Sequence, residues 1–242
     1  MESIGKFMIF MGRMFVRMET FKTYFKRTID ESIKVGYNSI FIFVIVSSFM
    51  GAVTTLQTAY NLISPFIPKY VISLVVRDMT VLELAPTIMA IVYAGKVGSN
   101  IAGELGTMRI TEQIDALEVM GINATSYLVL PKIIASILMY PMLVVLAATL
   151  SLLGGYLTAI LTGVVTGYDF IYGIRYEFIE YNIKFALIKA FAFAFLVAAI
   201  SAYKGFYTKG GALEVGQSST SAVTNSCIAI LLADYLLAKL LL

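Results

Sequence analysis

Histidine is absent from this 242-residue chain, and cysteine occurs once, as Cys227. Without imidazole groups the chain has no histidine metal ligand and no histidine-dependent triad, and one thiol forms neither an internal disulfide nor a cysteine zinc site. The phosphate-binding loop G-x-x-x-x-G-K-[ST] is missing as well. We therefore predict no catalytic residue, no metal site and no cofactor in this chain, and we interpret Cys227 as a small packing residue.

Charged residues are scarce: they make up 14% of the chain, against 59% hydrophobic residues, and the mean hydropathy is +0.86. This balance is typical of a polytopic membrane protein. A spanning helix needs about 20 mostly apolar residues. Four runs meet this need with at most one charge, at 40–63, 133–168, 185–203 and 215–233, and a fifth candidate at 79–95 is interrupted by Glu83 and Pro86. Their continuity favours helices over barrel strands, so we predict five transmembrane helices.

Basic residues are concentrated near the amino terminus. The positive-inside rule places such a segment in the cytoplasm, and five spans then put the carboxyl terminus on the outer side. Because the basic residues are spread along one membrane face, the net charge of +3 does not indicate nucleic-acid binding. The seven basic residues of 1–38 are Lys6, Arg13, Arg17, Lys22, Lys26, Arg27 and Lys34.

The first part of the 1–38 region has a helical apolar pattern. Its apolar residues recur at steps of three and four, which predicts an amphipathic helix lying in the inner membrane interface. The alternative is a helix packed on the bundle. The transmembrane domain is predicted to cover 39–242. The apolar positions are Ile4, Phe7, Met8, Met11, Met14, Phe15 and Met18.

A charged, glycine-punctuated segment at 94–131 separates two long apolar runs. We predict a short helix at about 111–121, begun by an N-cap at Thr111 and ended by Gly121. An apolar stripe beside an acidic edge suits such a helix to a groove of another protein, whereas the alternative is a loop helix with a solvated acidic face. The stripe consists of Ile114, Leu117 and Met120, and the edge of Glu112, Asp115 and Glu118.

Several sequence blocks resemble the signature of the MlaE/YrbE permease family, the membrane subunits of ABC transporters that move lipids together with MCE-domain proteins. The blocks are LELAP at 82–86, AGKVGSNIAGELGTMRITEQIDALEVMGI at 94–122, YLVLPK at 127–132 and GFYTKGGALEVGQSSTSAV at 205–223. They occur in the family's order, and the resemblance covers 40–242.

The resemblance implies an all-α integral membrane protein with an amino-terminal interfacial helix, five transmembrane helices and a cytoplasmic coupling helix between the second and third. It implies a homodimer in the bacterial inner membrane, with two ATPase subunits that bind ATP and Mg. Phospholipid would occupy a cavity at the dimer interface that opens toward an MCE-domain protein in the periplasm. Transport between the membrane and that carrier would contribute to outer-membrane lipid homeostasis.

The family pattern also suggests site residues. The candidate ATPase contacts are Glu112, Gln113, Asp115, Leu117, Glu118 and Met120. Further motif residues are Lys96, Gly98, Glu104 and Gly106, with Glu104 expected to brace the coupling segment through Lys96 or Arg109. The family often has arginine before the glutamate of the first block, where this chain has Leu82. Its loss puts that lipid-headgroup contact in question, and Arg77 is the candidate substitute.

Glu83 is a candidate on physical grounds too. A carboxylate inside a span costs about 2.5–3.5 kcal/mol, so such residues usually face a cavity or a partner. Two interpretations stay open: Glu83 lines a lipid cavity, or it pairs with Lys189 or Arg77 to hold the bundle together. The candidate lipid-binding set comprises Glu83, Leu82, Arg77, Phe49, Val53, Leu56, Tyr60, Leu74 and Met79. Small residues at Gly51, Gly154 and Gly155 are expected instead to allow close helix approach.

Two other functional classes remain. An ion-coupled secondary transporter or channel would use Glu83 and Lys189 as charge carriers and would often show an internal repeat, which we do not find. An intramembrane lipid-modifying enzyme would use Glu83 or Glu104 as acid or base. That enzyme is weakly supported, because the chain lacks histidine and offers no paired nucleophile.

Overall fold

The computed structural model describes residues 2–15, 20–62 and 67–241, and this part of the chain is helical without strands. Helix α1 (Glu2–Arg13) precedes the long α2 (Phe21–Asn61), and residues 70–110 then form one continuous helical stretch. This stretch contains α3 (Tyr70–Met79), a first π-helical segment (Thr80–Ile88), α4 (Met89–Tyr93), a second π-helical segment (Ala94–Gly98) and α5 (Ser99–Ile110). The remaining elements are α6 (Gln113–Val119), a third π-helical segment (Thr125–Val129), α7 (Leu130–Thr162), α8 (Gly167–Arg175), α9 (Glu180–Phe206) and α10 (Ala212–Leu241).

Four helices of the described residues are long and apolar enough to cross a membrane: Phe21–Asn61, Thr125–Thr162, Glu180–Phe206 and Ala212–Leu241. They confirm the prediction of an all-helical membrane protein. The fifth candidate, 79–95, is not among them, because it lies inside the 70–110 stretch and carries both π-helical segments, Glu83 and Pro86. The count of five spans therefore stays a prediction.

Helix α2 continues through residue 38, where the sequence predicted the boundary between the amino-terminal region and the transmembrane domain. Its 41 residues run from Phe21 to Asn61 without a break, a length of about 60 Å at 1.5 Å per residue. Since a bilayer core is about 30 Å thick, the amino-terminal half of α2 belongs to the interface or beyond it.

Glycines allow α2 and α7 to pack backbone against backbone. A Cβ at Gly51 would overlap the carbonyl oxygen of Ser151, and a Cβ at Gly154 would overlap that of Ser48. At Gly155 a Cβ would lie 2.5 Å from the Thr55 hydroxyl oxygen. This confirms the prediction that Gly51, Gly154 and Gly155 permit close approach, which is how membrane helices associate without a hydrophobic driving force.

The first π-helical segment surrounds Pro86, which lacks a backbone N–H and so disturbs the helical hydrogen-bond ladder. A side chain of a neighbouring helix forms a hydrogen bond to this segment: the Tyr140 hydroxyl on α7 donates to the Pro86 carbonyl at 2.6 Å. The Tyr140 ring also lies against Tyr93 of α4, with 4.6 Å between ring centroids. The irregular helix is therefore held in place by α7.

Helix α1 packs one face on the bundle. Phe10 is fully buried and contacts the rings of Tyr203, Phe206 and Tyr207 around the end of α9, while Met8 and Ile9 are exposed. The bundle-packed alternative thus describes the Phe10 face, and placement in the membrane interface stays a prediction. Met18 lies outside the described residues.

We expect Gly51→Ala to destabilise the protein, because the added methyl group must displace the Ser151 backbone. Overpacking of a tight core costs about 1–3 kcal/mol, so thermal unfolding in detergent, followed by circular dichroism, should shift to lower temperature. Gly95→Ala is the matched control: a Cβ there meets no atom within 4 Å, and alanine favours a helix. Equal melting temperatures for the two variants would contradict the close approach.

Candidate functional site

A buried ammonium group joins three elements within the membrane-spanning bundle. Lys189 on α9 has no exposed side-chain surface, and its Nζ lies 2.8 Å from Glu83 Oε1 and 2.7 Å from Asp234 Oδ1. Nζ also donates to the Leu82 carbonyl at 3.0 Å. Glu83 and Leu82 belong to the first π-helical segment and Asp234 to α10. We call Lys189, Glu83 and Asp234 the intramembrane cluster.

The acidic members of this cluster reach the surface of the single chain. The Glu83 side chain is 49% exposed and that of Asp234 19%. The Thr87 hydroxyl lies 3.2 Å from Glu83 Oε2 and 3.1 Å from Asp234 Oδ1, so its one hydrogen is shared between two acceptors. A buried cation with two partly open carboxylates can present hydrogen-bond acceptors to a polar ligand without leaving the ammonium unpaired.

Arg77 is placed differently from the expectation that it could replace a lipid-contacting arginine or pair with Glu83. Its guanidinium donates to the carbonyls of Ile174 at 3.0 Å and Tyr176 at 2.6 Å, at the carboxyl end of α8. It also forms an ion pair with Asp78 at 2.9 Å and is 3% exposed. Arg77 therefore anchors α8, where a cation favours the helix carboxyl terminus.

The apolar members of the expected lipid-binding set lie at the surface of the single chain. Leu74 and Leu82 are half-buried. The other five are exposed to the following extents: Phe49 69%, Val53 47%, Leu56 42%, Tyr60 77% and Met79 47%.

The predicted cytoplasmic helix exists as α6, but the predicted N-cap is wrong. Thr111 is instead the C-cap residue of α5, and its hydroxyl donates back to the Thr107 carbonyl at 2.8 Å. Glu112 occupies the N-cap position with φ 59° and makes no side-chain cap. Gly121 ends the helix as expected: with φ +80° it donates to the Glu118 carbonyl, and Ile122 donates to the Leu117 carbonyl, the Schellman pattern.

Helix α6 has an exposed apolar tip beside two exposed glutamates. Ile114 is fully buried and Leu117 half-buried, so these members of the predicted stripe hold α6 to the bundle. The tip consists of Val119, 88% exposed, and Met120, 65% exposed. Glu112 and Glu118 are exposed as well. Among the other candidates, Asp115 is held by Arg109 at 2.5 Å, and Gln113 donates to the Thr111 hydroxyl at 3.0 Å.

Glu104 braces α5, but not through Lys96 or Arg109 as expected. Its carboxylate lies 2.6 Å from Lys132 Nζ and 3.8 Å from Lys34 Nζ, and Lys132 also binds Glu31 at 2.9 Å. Burial alone would raise the pKa of Glu104, but the Lys132 and Lys34 ammonium groups outweigh burial and hold that pKa below its usual range. These four residues form a second network that joins α2, α5 and α7.

The other motif residues lie along the 70–110 stretch. Lys96 is exposed and lines a cavity of 370 Å³. A Cβ at Gly98 would lie 2.8 Å from the Ser201 hydroxyl oxygen, and one at Gly106 would lie 3.2 Å from Val215 Cγ1. Gly98 and Gly106 therefore allow the stretch to approach α9 and α10.

Comparison with known proteins decides the family. The model of the family described as "Permease MlaE" matches residues 28–240. The chain belongs to the MlaE permease family. A Rickettsia bellii protein named "Probable ABC transporter permease protein" is 36% identical over 99% of this chain and 92% of its own length.

Two further relatives come from photosynthetic organisms. A Synechocystis protein with the same kind of name is 32% identical over 95% of this chain and 87% of its own length. The Arabidopsis thaliana protein "TRIGALACTOSYLDIACYLGLYCEROL 1, chloroplastic" is 31% identical over 96% of this chain and 66% of its own length. This MlaE family member is thus an ABC transporter permease, a membrane subunit that works with a separate ATPase and is not itself the ATPase.

Asp234 and Val119 were not predicted as site residues from the sequence. Asp234 directly follows the charge-free run 215–233, and an acid at the edge of a span was a usable signal. Val119 was hidden because the apolar stripe was assigned to Ile114, Leu117 and Met120, and the side of α6 that faces the bundle depends on tertiary packing.

We expect Lys189→Met to destabilise this permease strongly, because it leaves two carboxylates without their cation. Breaking a buried ion pair by removing one partner costs about 3–5 kcal/mol. The neutral triple variant Glu83→Gln, Lys189→Met, Asp234→Asn should recover most of the loss in detergent melting experiments. Lys184→Met is the control, since Lys184 is exposed on the same helix. A single variant as stable as the triple variant would contradict the intramembrane cluster.

We expect the contribution of Glu104 to depend on pH. Because its folded-state pKa is lowered, the stabilisation is present above the unfolded value of about 4.3 and is lost as pH falls through the folded value. The stability difference between wild type and Glu104→Gln, measured by urea unfolding in detergent, should therefore be largest near neutral pH and shrink in acid. A difference that stays constant between pH 7 and pH 3 would contradict the ion pair.

Proposed function

We propose that this permease moves phospholipids between a bacterial inner membrane and an MCE-protein carrier on the outer side, and so contributes to outer-membrane lipid homeostasis. The observation that carries the proposal is the intramembrane cluster: the Glu83 side chain is half exposed where it binds Lys189 of the spanning helix α9. A carboxylate inside a membrane is costly unless it serves a partner or a cavity. The Arabidopsis relative, whose name contains that of a galactolipid, supports a lipid as the transported class.

The exposed apolar surface of α2 suits a lipid. Phe49, Val53, Leu56 and Tyr60 lie along one exposed face of α2, and an acyl chain requires such walls while its headgroup requires a few polar contacts. We assign the headgroup to the Glu83 side of the cluster. Arg77 takes no part, since its Nη1 is bound at the end of α8 and its Nε to Asp78.

Helix α6 would be the coupling helix that docks the partner ATPase, which supplies the ATP and Mg site. Its exposed apolar tip at Val119 and Met120, flanked by Glu112 and Glu118, suits a groove of another protein. From α6 the 70–110 stretch leads back to Glu83, 27 residues from its end at Ile110, or about 40 Å of helix. ATP binding would favour one position of α6, and the stretch would transmit that position to the intramembrane cluster.

A homodimer with five spans per chain accounts for the surface of α10. This spanning helix exposes Gln217, Thr220 and Thr224 on one side. Small and polar residues at such spacing typically face another helix in membranes, and a second copy would supply it. The amino terminus would lie in the cytoplasm and the carboxyl terminus in the periplasm, with 79–95 as the additional span.

An ion-coupled secondary transporter or channel is the second candidate, because a partly open carboxylate paired with a lysine is also typical of ion pathways. It would work without an ATPase. The name of the Rickettsia bellii relative and the exposed tip of α6 favour the ABC transporter.

Native mass spectrometry of the tagged protein, gently extracted from its own membrane, tests the proposal. We expect two permease chains, two ATPase chains and bound phospholipid. Val119→Ser should lower ATPase recovery about tenfold or more, as expected for an interface hot spot of about 2 kcal/mol. Leu161→Ser, at a residue 85% exposed at the far end of α7, should not. Glu83→Gln should lower phospholipid recovery and leave the ATPase bound.

Two results would count against it. Recovery of a single chain or a homo-oligomer without ATPase would favour the ion-coupled secondary transporter or channel instead. A complex with ATPase but without phospholipid would leave an ABC permease whose substrate is not a lipid.

A further inference from the structure

A cavity lies away from the intramembrane cluster, at the end of the bundle that includes α6. It has a volume of 1050 Å³ and is lined by the amino-terminal half of α2, by α5 and α6, by the third π-helical segment and by the start of α7. Five basic and three acidic residues line it, which gives a net charge of +2. A cavity of this size and sign fits an anion.

Part of this charge is uncommitted. Lys34 and Lys132 are bound to Glu31 and Glu104, and Arg27 lies over the Tyr127 ring, 3.5 Å from its centroid. Lys22 and Lys26, one turn apart on α2, are exposed and have no ion-pair partner among the described residues. Outside those pairs, Arg27, Lys22 and Lys26 carry three positive charges against one negative charge on Asp30, which gives the net charge of +2. The two neighbouring ammonium groups of Lys22 and Lys26 are thus available to an anion from outside the chain.

An apolar ridge runs beside these two lysines on the same helix. Its residues recur every fourth position and are exposed to the following extents: Phe21 83%, Phe25 59%, Ile29 44%, Ile33 61% and Tyr37 78%. Exposed aromatic and aliphatic side chains next to lysines are typical of a helix that lies in the interfacial layer of a membrane. A soluble anion would contact only the lysines. An anionic lipid would contact the lysines through its headgroup and the ridge through its acyl chains.

We infer that this cavity binds the phosphate headgroup of an anionic phospholipid from the adjacent membrane leaflet. Lys22 and Lys26 hold the phosphate, and the acyl chains extend along the ridge of Phe21, Phe25 and Ile29. The site is distinct from the transport cavity assigned to Glu83, and it does not depend on the proposed transport function. Clusters of basic residues next to a span recognise anionic lipids in this way.

The position of the site gives it a role. Gln113, the first residue of α6, lines the same cavity as Lys22 and Lys26. A headgroup in this cavity would therefore contact both α2 and α6. The composition of the leaflet would in this way influence the element that faces cytoplasmic partners.

The test measures lipid binding to the purified, delipidated full-length protein in detergent. Native mass spectrometry compares dioctanoyl phosphatidylglycerol, dioctanoyl phosphatidylcholine and inorganic phosphate. We expect phosphatidylglycerol to bind with preference. Each lysine near a membrane surface contributes about a fivefold change in affinity, so Lys22→Gln with Lys26→Gln should weaken binding of this lipid roughly 25-fold.

Two variants define the site. Lys204→Gln with Lys209→Gln removes the same charge from the last turn of α9 and the connection that follows it, outside the cavity, and should change the affinity less than twofold. Phe25→Ser should weaken binding of phosphatidylglycerol because it shortens the ridge. Since Phe25, Lys22 and Lys26 are exposed, these substitutions should not disturb folding, which size-exclusion chromatography checks.

Three outcomes would overturn the inference. Equal affinity of wild type and the Lys22, Lys26 variant would remove the two lysines from any lipid site. Displacement of phosphatidylglycerol by an equal concentration of inorganic phosphate would identify a site for a soluble anion. A protein partner that is lost from the native complex in the Lys22, Lys26 variant, with lipid binding unchanged, would identify a protein docking surface.

Discussion

The fold depends on the neutralisation of one buried ammonium group. Lys189 is fully enclosed on α9, and an uncompensated charge in such surroundings costs several kcal/mol. Compensation requires that the first π-helical segment and α10 both reach the same point, since they supply Glu83, the Leu82 carbonyl and Asp234. The arrangement of three helices is thus fixed by a charge requirement as well as by packing.

The irregular helix between α3 and α5 supplies part of that compensation. Pro86 removes a backbone donor, and the π-helical turn around it leaves carbonyls without the regular i to i−4 partner. Lys189 binds one such carbonyl, at Leu82, and the Tyr140 hydroxyl binds another, at Pro86. The Leu82 carbonyl lies four residues before Pro86, which has no N–H to donate to it. The proline therefore leaves this carbonyl open to Lys189, and so creates part of the site that α9 completes.

Much of this was predictable because it depends on local composition. Charge-free runs long enough to span a bilayer predicted the long helices, and Gly51, Gly154 and Gly155 predicted a close contact because a glycine inside a membrane helix usually permits one. Glu83 stood out for its cost alone. These inferences require no knowledge of which helix lies beside which.

Partners across the fold were not predictable, because they depend on that knowledge. Glu104 was expected to bind Lys96 or Arg109, which are near in sequence, yet its partners are Lys132 and Lys34 on α7 and α2. Thr111 looked like an N-cap because threonine favours that position, but its hydroxyl is already bound to the preceding turn. Arg77 was a candidate partner of Glu83 because it is near in sequence, but its guanidinium binds the Ile174 carbonyl of α8.

The two charge networks hold the 70–110 stretch at two points. Glu83 fixes it to α9 and α10, and Glu104 fixes it to α2 and α7. The points are 21 residues apart, about 32 Å at 1.5 Å per residue. Between them lies the second π-helical segment, Ala94–Gly98, where the space beside Gly95 is open. A displacement at one end of such a helix reaches the other end only if the irregular middle segment is stiff. If that segment bends, the displacement is lost there. Under the proposed function, the conformation of Ala94–Gly98 therefore sets how much of a movement at α6 reaches Glu83.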